Sequence, residues 1–187
     1  MHGIIFKELQ RYVSKSFGLP AWYGLLKGAA LDQQLFLPTQ NYPDGHLTVL
    51  VGGVAGLRGQ PVPDTLEDFG EFLVPNLLQV YGSMIQPRWR TLDLLEHTEH
   101  TMHRVVRHAS YTATPPRLLC IRTGPEEVVV HYYSERNLSS LGVGIIRGLA
   151  RHYGESVRIT KNHHPDRPAE CVIVVERVGG GSGWFEG

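Results

Sequence analysis

The chain has 187 residues, 42% of them hydrophobic and 19% charged, with 18 Lys plus Arg against 18 Asp plus Glu. That apolar content excludes intrinsic disorder, because it can offset the entropy of ordering the chain, and a chain of this length buries roughly 70% of its unfolded surface. The balanced charge argues against a nucleic-acid partner, whose affinity rests on phosphate neutralisation, and against an anionic membrane surface.

Two cysteines, Cys120 and Cys171, are too few for a disulfide framework and suit a reducing compartment. Lys7 and Glu8 interrupt the apolar pattern of the first residues, so neither a signal peptide nor a membrane span is expected there. A cytoplasmic location follows as the expectation. Ten histidines stand out, four of them (His97, His100, His103 and His108) within one short stretch.

In chain order, Ile5, Leu9, Val13 and Phe17 form an i, i+4 ladder that predicts a helix over 4–17, stopped by Gly18 and Pro20. A second helix is expected from Trp22 to Leu31, a turn over 41–45, and helical patterning again over 47–57. Asp64 or Thr65 can cap a further helix that carries Glu67, Phe69, Phe72 and Leu73. The histidines fall on a helix over about 90–108, which Thr114, Pro115 and Pro116 must break. The period then changes to two, with strands expected over 118–122, 128–136, 156–161 and 171–177. Gly124 and Pro125 turn the first strand into the second, and a helix from Ser139 to Tyr153 interrupts the series. Helices first and an antiparallel sheet later make the fold class α+β. Residues 179–187 (GGGSGWFEG) read as a flexible tail.

With Leu92 at zero and an advance of about 100° per residue, Leu94, Leu95, Met102, Val105 and Val106 fall between about 200° and 320°, the buried face. His97, His100 and His108 fall on the polar side, where solvated side chains are expected. His103 lies near 20°, at the border of the apolar face. Its sequence leaves two readings open, a satisfied core residue or an axial ligand. His97, His100 and His103 could share a surface metal, but they spread over about 120° of arc.

In the segment VVVHYYSER, strand alternation places Tyr132, Ser134 and Arg136 on one face and His131, Tyr133 and Glu135 on the other. Two hydroxyls and a guanidinium spaced about 6–7 Å apart make a donor ladder suited to carboxylates or phosphates. The alternative is an ordinary solvated strand face.

These segments resemble the heme nitric oxide/oxygen binding (H-NOX) family, over Met1 to about Val178. The opening Met-His-Gly-Ile-Ile-Phe, Tyr42-Pro43-Asp44, Phe69-Gly70 and Gly144-Ile145-Ile146 fit the family, as does His103 with Val106 and then Thr114-Pro115-Pro116. Tyr132-x-Ser134-x-Arg136 is similar to the family's YxSxR motif, and HYYSERN is especially like the guanylate cyclase beta chain. The resemblance implies a helical part over about 1–60, then a helix-plus-sheet part over about 61–178 with a four-stranded antiparallel sheet, and heme b buried between them. It makes His103 the iron ligand, Tyr132, Ser134 and Arg136 the clamp on the propionates, and Pro116 a contact that holds the porphyrin out of plane. A heme face of a few hundred Å², at about 25 cal/mol per Å², would itself favour burial.

Carried over by position, Ile5, Leu9, Leu73 and Leu141 line the side away from His103. In oxygen-binding members the position of Leu141 is a tyrosine that donates to the gas, a bond of about 1.5–3 kcal/mol, or ten- to hundredfold in affinity. The resemblance therefore implies a sensor of nitric oxide and carbon monoxide that discriminates against oxygen, unless Ser139 or Ser140 supplies a donor. It further implies signalling by release of His103 to a partner, a histidine kinase or a diguanylate cyclase, and no catalysis. From the length of this sequence, no output domain of its own is expected. Two rival readings are a heme enzyme and a zinc-binding module using the histidine cluster. A zinc site at Cys171 with His163 is a separate option, with Ser140 standing where some members have a cysteine.

Overall fold

The computed structural model of the chain describes residues 1–104, 107 and 115–179. Among these, six α-helices and four strands follow in the order α1 (Gly3–Phe17), α2 (Leu19–Gly28), α3 (Asp44–Arg58), α4 (Val62–Tyr81), α5 (Thr91–Thr98), β1 (Arg117–Gly124), β2 (Glu127–Tyr133), α6 (Ser139–Tyr153), β3 (Ser156–His164) and β4 (Arg167–Val178). A π-helical turn, Glu99–His103, continues α5. The sheet is antiparallel throughout, in the order β1-β2-β4-β3, so the α+β expectation holds. Val105, Val106, His108, Thr114 and residues 180–187, which carried expectations above, lie outside the described residues.

Helix α1 buries Phe6, Leu9 and Val13 completely, with Tyr12 beside them. The expected ladder is corrected at both ends: Ile5 is half-buried and Phe17 exposed, because the core stripe runs through Phe6 and Tyr12 instead. Gly18, at φ 83°, separates α1 from α2, which opens earlier than expected, at Leu19 with Pro20 in its first turn. Residues 41–45 do not form one turn. Asp44 and Gly45 already open α3 behind Pro43, and the Asp44 carboxylate sits at the positive end of the helix dipole. Neither Asp64 nor Thr65 caps α4, which begins at Val62 behind Pro61; the Thr65 hydroxyl donates back to the Pro61 carbonyl at 3.2 Å.

Helices α4 and α6 meet backbone to backbone. A Cβ on Gly144 would lie 2.0 Å from the Glu67 carbonyl oxygen, and one on Gly70 2.4 Å from that of Leu141. Only glycine permits this approach. It presents Leu73 on α4 and Leu141 on α6 to a common apolar cluster.

The sheet buries Val128, Val130 and Tyr132 of β2 with Cys171, Ile173 and Val175 of β4 against Leu92 and Leu95 of α5 and Val143 and Ile146 of α6. Strand β2 stops at Tyr133, short of the expected 136, and β3 and β4 extend beyond theirs. The stop has a local cause. After Ser134, whose amide still donates to the Ala169 carbonyl at 2.9 Å, the chain turns through Asn137 at φ 51°, a conformation asparagine tolerates. Inward and outward burial nonetheless alternates through Tyr132, Tyr133, Ser134 and Glu135 as the sequence pattern requires.

Candidate functional site

The histidine segment starts from a well-capped helix. The Arg90 amide donates to Asp93 Oδ2 at 2.9 Å, and the Thr91 amide donates to Glu155 Oε2 at 3.0 Å. Leu92, Leu94 and Leu95 are buried as the angular reading requires. From Glu99 onward that reading fails, because the Arg104 amide donates to the Glu99 carbonyl five residues back. Such wide turns alter the rotation per residue and recur at functional sites.

His103 closes this turn, half-buried, with Nδ1 3.2 Å from Glu99 Oε2. A carboxylate only accepts, so Nδ1 carries the proton and Nε2 is the nitrogen with a lone pair. Glu99 Oε2 also accepts the Leu118 amide of β1 at 3.1 Å, and Oε1 accepts from the Arg107 guanidinium. The Pro116 carbonyl bears on the same imidazole, so His103 and Pro116 are neighbours. Burial pulls His103 below the usual histidine range against the opposing pull of Glu99, which favours the neutral ring that ligates metals.

Among the described residues, the other histidines of this segment do not join it. His97, expected in solvent, is half-buried; its ring stacks on Trp89 at 4.3 Å, and its Nδ1 lies 2.8 Å from the Asp93 carbonyl oxygen. Trp89, just before α5, covers what the helix pattern alone marks as a polar face. His100 is exposed. Among the described residues no three His, Cys, Asp or Glu side chains come together as a metal site.

Tyr132 and Ser134 are both buried, and the Ser134 hydroxyl bonds the Tyr132 phenol, whose pKa burial pushes up to about 12. The Arg136 amide donates to Ser134 Oγ at 3.3 Å, and Arg136 Nε donates to Asp44 Oδ2 at 2.8 Å. The other Asp44 oxygen accepts from the Met1 ammonium at 2.6 Å. The three members of the ladder are thus brought together, although Ser134 and Arg136 lie just beyond the strand. Burial raises the Asp44 carboxyl, but the Met1 and Arg136 hydrogen bonds outweigh it and hold Asp44 below the ordinary range.

The four aliphatic residues also meet. Leu9 and Leu73 are buried in the helical core, and Ile5 and Leu141 pack against the same cluster, half-buried. Ser139 and Ser140 of the same helix as Leu141 are engaged elsewhere. Ser139 bonds the Cys171 thiol, and Ser140 Oγ accepts from Lys161 Nζ at 2.6 Å. His163 lies opposite Cys171 in the β3–β4 register, but Lys161 is the residue bonded to Ser140. Cys120 is half-buried, and burial with Glu99 and Glu96 nearby pushes its thiol up to about 12, so it is a poor nucleophile.

This donor set fits a buried amphiphilic macrocycle: one neutral imidazole, two buried hydroxyls with a guanidinium for carboxylates, and half-buried aliphatic surface on Ile5, Leu141 and Ile145. Sequence reasoning missed Glu99 and the Asp44–Arg136 pair. Glu99 stands four residues before His103, a spacing that puts both on one helix face. No sequence signal links Asp44 to a residue 92 positions later.

The family profile described as Haem-NO-binding matches residues 2–161. The soluble guanylate cyclase gcy-35 of Caenorhabditis elegans is 21% identical in an alignment 187 positions long that covers 95% of this chain and 27% of that protein. The chain therefore spans about a quarter of the length of that curated relative. Among solved structures, an H-NOX protein from S. oneidensis in the Fe(II)NO ligation state matches with a TM-score of 0.88 at 22% identity, over 96% of this chain and 100% of that one. An unliganded Fe(II) H-NOX protein from K. algicida matches with a TM-score of 0.86 at 18% identity, over 96% and 97% of the two chains. At these identities the structural likeness establishes the fold.

Proposed function

The chain belongs to the haem-NO-binding family of heme-binding gas sensors, and from that premise we propose that it senses nitric oxide, also binds carbon monoxide and discriminates against oxygen. In this reading His103 ligates the iron of heme b, Tyr132, Ser134 and Arg136 hold its carboxylates, and Pro116 touches its face. Ile5, Leu9, Leu73 and Leu141 line the gas side. When bound, heme supplies the ferrous centre that holds a diatomic gas.

The chain's own residues supply the selectivity. The observation that carries the proposal is the pairing of a half-buried imidazole at His103, its Nδ1 turned to Glu99, with four aliphatic side chains, Ile5, Leu9, Leu73 and Leu141, that share one apolar cluster. An oxygen adduct gains most from a nearby hydrogen-bond donor, and the four lining side chains have none. Ser139 is spent on the Cys171 thiol, which supports its exclusion as a donor, and Ser140, although it only accepts from Lys161, is anchored to β3 by that bond. The same aliphatic lining offers no acid or base, which favours a sensor over a heme enzyme. Arg136 is oriented by Asp44 through Nε, which fixes the direction of its guanidinium for a carboxylate.

Displacement of His103 would free the segment after α5 to move relative to β1, a two-state element that a gas could bias. We place the protein in the cytoplasm, reporting to a histidine kinase or diguanylate cyclase; among the described residues no helix is long and apolar enough to cross a membrane. The test is the absorption spectrum of the reduced protein. A Soret band that shifts with nitric oxide and carbon monoxide but not with air is expected. A colourless protein containing zinc, or a stable shift in air, would overturn the reading.

A further inference from the structure

Glu99 is the polar side chain best connected to the proposed ligand, and none of the roles assigned so far uses it. One turn before His103, it takes three donors from three places: the His103 imidazole at 3.2 Å, the Leu118 amide at 3.1 Å, and the Arg107 guanidinium. Arg107 occupies Oε1, so the imidazole and the β1 backbone share Oε2. We propose that Glu99 is the positioning residue for His103: its carboxylate fixes the Nδ1–H tautomer, turns Nε2 toward the iron, and ties the ligand to the start of β1. This rests on the reading of His103 as the ligand.

The physical argument is general. A metal-bound imidazole that donates its second N–H to a carboxylate is held in one tautomer and one ring orientation, and becomes a stronger electron donor. A carboxylate has about four lone-pair positions, so Glu99 can serve three donors without leaving any unsatisfied. Because His103 and Leu118 share one oxygen, the two bonds are coupled. If His103 leaves, Oε2 falls wholly to Leu118, and the imidazole's state is passed to the sheet backbone. Proline at 115 and 116 removes two backbone donors just before β1, so Leu118 is among the first amides of that strand able to receive the signal.

The experiment compares Glu99→Gln and Glu99→Ala with the wild-type holoprotein. The glutamine keeps an acceptor for Leu118, so the fold is retained, which far-ultraviolet circular dichroism checks. The iron–histidine stretching band of the ferrous protein should shift to lower frequency in Glu99→Gln and further in Glu99→Ala. Heme affinity of the alanine variant should fall about tenfold or more. In heme-free protein, nitrogen NMR of His103 should change from one Nδ1–H tautomer to a mixture, and exchange of the Leu118 amide should accelerate. An unchanged stretching band and an unchanged tautomer in folded Glu99→Gln would overturn this proposal alone. A wild-type holoprotein with no iron–histidine band would overturn the ligand reading and this proposal together.

Discussion

Around His103 the chain is irregular and held by side-chain hydrogen bonds, whereas around Leu9 and Leu73 it is regular and held by packing. The histidine segment opens into a π-helical turn and depends on Glu99, Arg107 and Leu118 to fix one imidazole. The aliphatic residues Ile5, Leu9, Leu73 and Leu141 of the apolar cluster come from α1, α4 and α6, with the last two helices pressed together at Gly70 and Gly144. Half-buried hydrogen bonds, each worth about 1 kcal/mol net, can be exchanged for others, whereas a close-packed core has few alternative arrangements. On the proposed reading, the side that must bind and let go uses exchangeable bonds, and the side that must reject oxygen uses packing.

Adding a donor to the packed side would break the contrast most strongly. Leu141→Tyr should raise oxygen affinity by ten- to hundredfold, corresponding to about 1.5–3 kcal/mol, with nitric oxide affinity changed far less. Oxygen and nitric oxide titrations of the ferrous protein would check this, and an unchanged oxygen affinity would count against Leu141 facing the gas. Next in size, Gly144→Ala inserts a methyl group 2.0 Å from the Glu67 carbonyl oxygen and should cost about 1–3 kcal/mol. Thermal melting would record the loss.

The smallest expected effect lies on the hydrogen-bonded side. Burial raises the Glu155 carboxyl, but hydrogen bonds from Thr91 and Arg177 outweigh it and hold Glu155 below the ordinary glutamate range. Its contribution is therefore complete above the unfolded-state value and is lost as pH falls through the folded one. Glu155→Gln should cost about 1 kcal/mol at neutral pH, and its urea midpoint should converge on the wild-type value as the solution is acidified. A gap that persists in acid would assign the loss to packing.

The same contrast governs what could be read from the sequence. Periodicity delivered the aliphatic side: Leu9 and Val13 on α1 and the full span of α6 lie where the pattern puts them. Strand alternation put Tyr132 and Ser134 on one face even though β2 ends between them, because burial keeps alternating past the last ladder bond. The histidine side was less legible. A fixed rotation per residue cannot anticipate the five-residue hydrogen bond at Glu99, and it cannot show that Trp89, from outside the helix, covers His97. The Asp44–Arg136 pair joins the start of α3 to the turn after β2, a contact that only the assembled fold creates. The start of α4 was misplaced for a local reason, since Pro61 sets the entry while Thr65 bonds backwards inside the helix.

The central claim concerns one nitrogen of His103, and removal of that side chain tests it most directly. Reduced His103→Ala protein, reconstituted with heme and shown to be folded, should lose the five-coordinate ferrous spectrum of the wild type, and free imidazole should restore it. Retention of the wild-type spectrum without imidazole would contradict the account.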